Sequence, residues 1–273
     1  MRKRYSFSCR KTGQAKDPKN IRKQRPTFPE VVVKVLNDSD IILEVLDSRF
    51  ISDTQNPELE AEIKRKNKKI IYVINKSDLG LAKQKILIKP HVIVSCRERK
   101  GIKALRDKIK FTAKLFSKER TTVGVIGYPN TGKSSLINLL IGKKSAPSSS
   151  QAGYTKGVQK LKLAPNIMLL DSPGVIPKEE YTTIKSRKLA KHAKIGAKTY
   201  TQVKDPEAII AEFIKEFPGT LEKYYNITTK GNSEYLIEKL GRKLHYLKKG
   251  NQVNYDRVSR EILKDWQQGK IKI

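Results

Sequence analysis

The residues best suited to carry out chemistry lie in one short stretch, Gly127 to Ser134, with the sequence G-Y-P-N-T-G-K-S. It matches a phosphate-binding pattern in which backbone N–H groups surround phosphates, a lysine reaches the β- and γ-phosphates and a hydroxyl ligates Mg²⁺. The stretch follows the apolar run 122–126 and opens a helical pattern over 133–142. This is the strand–loop–helix setting that phosphate binding requires. We expect Lys133 to bind the phosphates and Ser134 to bind Mg²⁺.

A second candidate element, Asn75-Lys76-Ser77-Asp78, follows the apolar run 70–74. The pattern N-K-x-D is typical of elements that recognise guanine. The Asp78 carboxylate can accept hydrogen bonds from both the N1–H and the exocyclic amine of guanine, and adenine lacks this pair of donors. We expect the Lys76 stem to lie over the base and Asn75 to tie this loop to the phosphate loop. Alone, N-K-S-D would read as a solvated turn. Ser95 and Cys96, after another apolar run, are expected to close the base pocket, with Cys96 as a packing residue.

A third element, Asp171-Ser172-Pro173-Gly174, ends the apolar run 167–170. A carboxylate at a strand end suits Mg²⁺ binding, and the Gly174 N–H is expected to meet the γ-phosphate. The alternative is an ordinary turn. Between this element and the phosphate loop, Thr155 is the best candidate for a second Mg²⁺ hydroxyl ligand. Ser148, Ser149 and Ser150 are rivals, and a plain flexible loop is the alternative.

The order of these elements is inverted. In an ordinary GTPase the phosphate loop comes first and the base-reading element last, whereas here Asn75–Asp78 precedes Gly127–Ser134 by about 50 residues. The chain termini of such a fold can lie in a different loop without separating the phosphate loop from the base-reading element, because the sheet still brings both to one site. The sequence therefore predicts guanine nucleotide binding on a permuted topology.

The composition indicates a polyanionic partner. The chain has 58 Lys and Arg against 27 Asp and Glu, a net charge of +31, which favours nucleic acid because neutralising phosphates releases counterions. A solvated lysine-rich surface is the alternative. Two cysteines and three histidines without ligand spacing predict no disulfide framework and no zinc. The lack of a long apolar run predicts a soluble cytoplasmic protein without membrane contact, and we expect a monomer.

Short β-branched runs alternate with helical stretches from Phe28 to about residue 180. This alternation predicts an α/β fold with a doubly wound, mostly parallel sheet. We expect strands over 41–46, 70–74, 91–94, 122–126, 158–163 and 167–170, the last two paired as a hairpin across 164–166, and helices over 57–68, 101–116 and 133–142.

Three regions are predicted: a flexible basic arm over 1–27, a nucleotide-binding domain over 28–180, and a small all-helical RNA-binding domain over 181–273. In the last, helical patterns cover 184–197, 206–217, 221–225, 233–244 and 255–268. Asp205 before Pro206 is expected to cap the second of these helices. The arm could order on RNA or remain a tail without specific contacts.

The motif order, together with further residues, resembles the circularly permuted GTPases of the YlqF/YawG type, a family that assists ribosome assembly. Leu46-Asp47-Ser48-Arg49 is similar to the family's D-A-R element, the phosphate loop to G-x-P-N-V-G-K-S-S-L-I-N, and the tail from Asp256 to Ile271 to its C-terminal helix. The resemblance covers roughly 28–273. Departures are modest: the family more often has D-T-P-G, S-A and G-T-T where this chain has D-S-P-G, S-C and G-Y-T. None of them removes a group that the chemistry needs.

The resemblance implies a P-loop NTPase fold that binds GTP or GDP with Mg²⁺. Relatives with asparagine at the Asn130 position bind K⁺; the alternative is that Asn130 only braces the phosphate loop. Val175 stands where Ras-like GTPases have a water-orienting glutamine, so unassisted hydrolysis is expected to be slow. Arg49 is expected to be salt-bridged to the fold.

The predicted site comprises three overlapping sets. Catalytic roles are expected for Lys133, Thr155 and Gly174. Mg²⁺ ligands are expected to be Ser134, Thr155 and Asp171. Nucleotide-binding residues are expected to be Asn75, Lys76, Ser77, Asp78, Ser95, Cys96, Asn130, Thr131, Gly132, Lys133, Ser134, Ser135 and Gly174.

The function that these features favour is a GTP-hydrolysing switch in assembly of a ribosomal subunit, with the large subunit preferred over the small one, through nucleotide-dependent binding of ribosomal RNA. An RNA-binding scaffold with a structural GTP site is the alternative, which Val175 permits. A DNA-directed P-loop ATPase is a third reading, against which Asp78 argues.

Overall fold

A computed structural model of the 273-residue chain describes residues 28–80, 86–142, 159–172, 174 and 186–272. The predicted basic arm over 1–27, the candidate ligand Thr155 with its rivals Ser148, Ser149 and Ser150, and Val175 lie outside the described residues. Within the described part of the chain, no helix combines the length and the apolar character that crossing a membrane requires.

Six strands of the described chain form one sheet in the order β3-β2-β1-β4-β6-β5. Neighbouring strands are parallel except for β5 and β6, which pair antiparallel in the predicted hairpin. The predicted fold class is confirmed. The strands are β1 Ile41–Asp47, β2 Lys69–Asn75, β3 His91–Ile93, β4 Thr121–Ile126, β5 Gln159–Ala164 and β6 Ile167–Asp171.

Helices cover both faces of this sheet. On one face, α1 (Phe28–Asp38) and α3 (Pro57–Arg65) pack over Ile42; on the other, α4 (Ile102–Ala113) and α5 (Lys133–Ile141) pack over Leu43. Successive residues of β1 therefore serve opposite cores, as the two-residue period of a strand demands. A short helix, α2 (Ile51–Thr54), follows β1. Neither α1 nor α2 was predicted.

The C-terminal part is mainly helical and has its own apolar core. Its helices are α6 Ser186–Lys194, α7 Pro206–Glu216, α8 Thr220–Tyr225, α9 Ser233–Lys243 and α10 Tyr255–Gln267. A two-stranded antiparallel hairpin, β7 (Leu247–Lys248) with β8 (Gln252–Val253), was not predicted. The predicted cap is confirmed, because an Asp205 carboxylate oxygen accepts from the Ala208 N–H at 3.0 Å. The predicted domain boundary near residue 180 lies outside the described residues.

The sheet and the helical part share a contact centred on Trp266. This side chain is fully buried, and its ring lies 4.5 Å from that of Phe213 in α7 and 6.2 Å from that of Phe50, which follows β1. Tyr128 of the phosphate loop is also fully buried in this core. The helical part therefore packs directly against the loops that leave the carboxyl edge of the sheet.

Four strands end at that edge with chemically significant residues. The carboxyl ends of β1, β2 and β6 are Asp47, Asn75 and Asp171, and β4 leads into Gly127. Because parallel strands bring their carboxyl ends together, residues far apart in sequence meet there. A binding site is therefore expected at this edge.

Candidate functional site

The phosphate loop, Gly127–Ser134, connects β4 to the start of α5. At Gly127, φ is +145° and an added Cβ would meet the Val45 carbonyl oxygen at 2.5 Å, so this turn requires glycine. Lys133 is buried, and its Nζ donates to the carbonyl oxygens of Gly127 at 3.0 Å and Tyr128 at 2.7 Å. The ammonium group therefore lies across the loop, beside a helix N-terminus that favours anions.

A carboxylate and a hydroxyl lie beside this lysine. Asp171 is fully buried at the end of β6, and Ser134 Oγ donates to its Oδ2 at 3.4 Å. Burial holds the pKa of Asp171 above its ordinary value and that of Lys133 below its own, and the attraction between their opposite charges partly offsets both effects. Asp171 Oδ1 has no hydrogen-bond partner among the described residues. An unsatisfied buried carboxylate oxygen next to a hydroxyl suits Mg²⁺, which prefers oxygen ligands.

Gly174 lies against the phosphate loop. A Cβ added there would come within 2.6 Å of Pro129 Cα, so only a residue without a side chain fits. The backbone of the Asp171–Gly174 element thus approaches the loop that leads to Lys133. Thr155, the other predicted Mg²⁺ ligand, lies outside the described residues.

Asn75 joins the base-reading element to the phosphate loop. Its Nδ2 donates to the Thr131 carbonyl oxygen at 2.8 Å, which confirms the predicted tie, and its Oδ1 accepts from the Cys96 N–H at 3.2 Å. Gly132, with φ +97°, leaves the space that this amide occupies, since an added Cβ would overlap Asn75 Nδ2. One buried side chain therefore sets the spacing of three loops.

The base-reading residues form a short 3₁₀ turn, Ser77–Leu79, directly after Lys76. Asp78 Oδ1 accepts from Ser95 Oγ at 2.7 Å, and the Ser77 N–H donates to the Val94 carbonyl oxygen at 3.2 Å. These contacts leave further acceptor capacity on the Asp78 carboxylate. Burial raises the pKa of Cys96 to about 12, so its thiol is uncharged at neutral pH, in keeping with a packing role.

A buried ion cluster supports Lys76. Asp47 Oδ2 lies 2.9 Å from Lys76 Nζ and 2.9 Å from Arg49 Nη2. Burial alone would raise the pKa of Asp47, but the charges of Lys76 and Arg49 outweigh it and hold that pKa well below its usual range. Ser48 Oγ lies within hydrogen-bond distance of two carbonyl oxygens, that of Lys76 at 2.8 Å and that of Gly80 at 2.6 Å, and its one proton can be donated to either. Arg49 is salt-bridged to the fold, as expected, and the cluster holds the base-reading loop in place.

Asn130 connects the phosphate loop to the helical part. Its Nδ2 donates to the Gly196 carbonyl oxygen, after α6, at 2.7 Å. This contact agrees with a bracing role for Asn130. The predicted K⁺ contact remains a hypothesis.

Two adjoining cavities follow these loops. One, of about 290 Å³, is lined by the base-reading Asn75, Asp78 and Cys96; the other, of about 500 Å³, extends past Asn130 to Gly196. Both are also lined by the end of α10, which the sequence analysis did not connect with the site. The tail from Asp256 to Ile271 carries part of the family resemblance, but nothing local in it points to the nucleotide, because its place depends on how Trp266 docks.

The predicted nucleotide-binding residues that the structure describes thus lie at one edge of the sheet, in strand ends, loops and the start of α5. Asn75, Lys76, Asp78 and Cys96 line the smaller cavity, and Ser95 supports Asp78 through its hydroxyl. Residues 130–135 form the adjoining loop and helix start. The arrangement can hold a base, a sugar and phosphates in sequence.

Comparisons with known proteins agree with this geometry. A family model described as 50S ribosome-binding GTPase matches residues 122–237. This match begins at β4, after the base-reading element, as a permuted order requires. The chain is also similar to GNP-bound YlqF from T. maritima, with a TM-score of 0.65 at 23% identity over 89% of this chain and 94% of that one. At this identity the likeness shows the fold.

Sequence relatives span most of the chain. It is 38% identical over 261 residues to the uncharacterized GTP-binding protein MJ1464 of Methanocaldococcus jannaschii, covering 92% of this chain and 68% of that protein. It is 33% identical over 257 residues to nucleolar GTP-binding protein 2 of Saccharomyces cerevisiae, covering 87% of this chain and 51% of that protein. The chain thus spans about half the length of the nucleolar relative. The motif order, the permuted sheet and these matches together show that the chain belongs to the family of circularly permuted GTPases of the YlqF/YawG type.

Proposed function

We propose that the protein binds GTP with Mg²⁺ and hydrolyses it to GDP and phosphate, as a switch in assembly of the large ribosomal subunit. The observation that carries this proposal is the double hydrogen bond of Asn75, which holds the base-reading loop against the phosphate loop. Family membership supports guanine nucleotide binding and hydrolysis in general.

In the proposed complex, Asp78 accepts from the guanine edge while the Lys76 stem covers the base. Backbone N–H groups of 130–135 and the Lys133 ammonium group bind the phosphates. Ser134 and Asp171 hold Mg²⁺, with Thr155 as the proposed second hydroxyl ligand. When bound, Mg²⁺ would neutralise charge on the β- and γ-phosphates. The Gly174 N–H is proposed to sense the γ-phosphate, which the close approach of Gly174 to Pro129 of the phosphate loop supports.

Unassisted hydrolysis is proposed to be slow because Val175 cannot orient water. The ribosomal subunit would supply the missing group, and K⁺ beside Asn130 would add positive charge near the phosphates. If neither activates the reaction, the protein acts as an RNA-binding scaffold whose GTP site is structural.

The output of the switch is proposed to be ribosomal RNA binding by the helical region over 181–273, with the basic arm over 1–27 as an auxiliary contact. The net charge of +31 supports a polyanionic partner, and relatives named nucleolar GTP-binding protein 2 support a role near ribosome assembly. The nucleotide-binding domain is proposed to cover 28–180. We propose that the protein acts as a monomer in the cytoplasm.

Multiple-turnover GTPase assays with and without large and small ribosomal subunits, in KCl and in NaCl, test the proposal. We expect the rate of GTP hydrolysis to be higher with the large subunit than without it, and higher in KCl than in NaCl. Lys133→Ala should abolish the activity, whereas Lys110→Ala, which changes an exposed lysine of α4, should not. If no hydrolysis is detectable under any of these conditions, the GTPase proposal is refuted and the RNA-binding scaffold is the remaining function.

A further inference from the structure

The end of α10 forms a wall shared by both cavities. Gln267 and Gln268 line the cavity that holds Asp78 and also the cavity that borders Asn130. A residue that lines both must lie where the two cavities meet. In a nucleotide held by Asp78 at its base and by the phosphate loop at its other end, the group between them is the ribose.

The two glutamines differ in what they already contact. Gln267 Nε2 donates to the carbonyl oxygens of Ala193 at 3.0 Å and Lys198 at 2.8 Å, and its Oε1 accepts from the Tyr200 N–H at 3.1 Å. Its amide is therefore committed to bracing the loop after α6. The side chain of Gln268 is exposed and has no hydrogen bond to any other described residue. Of the pair, Gln268 has its amide available for a ligand.

The position of Gln268 is set on both sides by loops at the carboxyl edge of the sheet, one after β1 and one after β2. On one side, Arg49 Nη1 donates to the Trp266 carbonyl oxygen at 3.4 Å. On the other, Gly269 packs so closely on Leu79 that an added Cβ would come within 2.6 Å of a Leu79 methyl group. The helix end is thus attached to the same loops that hold Asp78, and Gln268 starts from a preorganised position.

We infer that Gln268 binds the ribose hydroxyls of the guanine nucleotide, an inference that rests on the proposed function. A primary amide carries both a donor and an acceptor, which matches two neighbouring hydroxyls that can each donate and accept. The helical region then contributes directly to nucleotide affinity. By linkage, nucleotide binding favours the docked position of α10 to the same extent.

Isothermal titration calorimetry of the full chain with GDP and with 2′,3′-dideoxy-GDP tests this inference, since neither carries a label on the ribose. We expect wild type to bind GDP about fivefold more tightly than the dideoxy compound, the change expected for two neutral hydrogen bonds at the low end of their usual strength, because Gln268 is exposed to water. Gln268→Ala should bind GDP about fivefold more weakly than wild type and should no longer discriminate between the two ligands. The control Gln252→Ala, which changes an exposed glutamine in β8, should behave as wild type.

Two results would overturn the inference while leaving the proposed function intact. One is wild-type GDP affinity in Gln268→Ala; the other is undiminished discrimination against dideoxy-GDP in that variant. Absence of GDP binding by wild type would instead contradict the proposed function itself and the inference with it.

Discussion

Replacing Asn75, itself one of the predicted nucleotide-binding residues, by alanine should weaken nucleotide binding because it removes the bridge between the phosphate loop and the loop of Cys96. The wild-type side chain is 1% exposed. It bridges the Thr131 carbonyl oxygen at 2.8 Å and the Cys96 N–H at 3.2 Å. Alanine removes both contacts, so the phosphate loop and the base-closing loop lose their common support.

The expected magnitude follows from the two backbone groups left without a partner. Each unsatisfied buried group costs about 1–3 kcal/mol. Because Asn75 borders a cavity of about 290 Å³ that water can enter, the lower end applies, about 2 kcal/mol in total. In a chain of this size that corresponds to a fall of roughly 4–8 °C in unfolding temperature. If the loops must be reordered on binding, GDP affinity falls roughly 30-fold.

Thermal unfolding and calorimetric titration with GDP measure the two effects. Asn75→Asp should bind GDP more weakly still, because it keeps the acceptor for Cys96 but sets a carboxylate oxygen against the Thr131 carbonyl. Asn37→Ala, at an exposed position in α1, is the matched control and should bind GDP as wild type does. Wild-type affinity and unfolding temperature in Asn75→Ala would refute the bridging role.

Three further substitutions probe other parts of the structure. Asp78→Asn should weaken GDP binding roughly 10- to 100-fold, as expected for lost charge-assisted hydrogen bonds, and should improve binding of xanthine nucleotides, whose C2 oxygen can accept from the new amide; competition titrations measure both. Gly174→Ala should lower kcat for GTP roughly 100-fold in a subunit-stimulated assay, because its Cβ would lie 2.6 Å from Pro129 Cα and displace the backbone N–H. Glu44→Gln should raise the unfolding temperature at pH 8 but not at pH 4, because burial raises the pKa of Glu44 well above its ordinary value.

The sign of the Glu44 effect follows from proton linkage. With the folded-state pKa above the unfolded one, the stability contribution of Glu44 is fully present below the unfolded pKa and is lost as pH rises through the folded pKa. Equal stability of the two proteins at pH 8 would contradict this. Asp107→Asn and Glu212→Gln, at exposed sites, are the controls for the charge changes. For Gly174→Ala, unchanged kcat would show that the backbone adapts without cost.

The strands of the sheet were predictable because each is a short buried apolar run, and the structure agrees within about one residue at each end of β1, β2 and β4. By contrast, α1 was missed. Its sequence contains the β-branched run Val31 to Val33, which by propensity favours a strand. Val32, Val35 and Leu36 nevertheless share one helical face and are buried against the sheet. Tertiary packing overrode local preference.

Many residues of the candidate site could also be predicted from the sequence. Asn75, Asp78, Lys133 and Asp171 belong to fixed patterns at the ends of apolar runs, and the parallel sheet brings those ends to one edge. The support of Lys76 by Asp47 was not predicted. The feature that could have revealed it is Asp47 at the end of β1, a strand whose seven residues are all buried. An acidic residue is rarely fully buried unless it is paired with a positive charge.

The sequence by itself determined the inverted order of two motifs and the strongly basic composition, and from them it predicted the chemistry of a guanine-reading element and a phosphate loop. These features are local, because a motif's residues are neighbours and strand polarity follows from alternating patterns. Only the tertiary structure decided that Gly196 and Gln268 reach the same site. Their positions depend on Trp266 docking against Phe50, a contact between residues more than 200 positions apart. No short pattern encodes such a contact, because apolar packing depends on shape and burial and can be satisfied by many sequences.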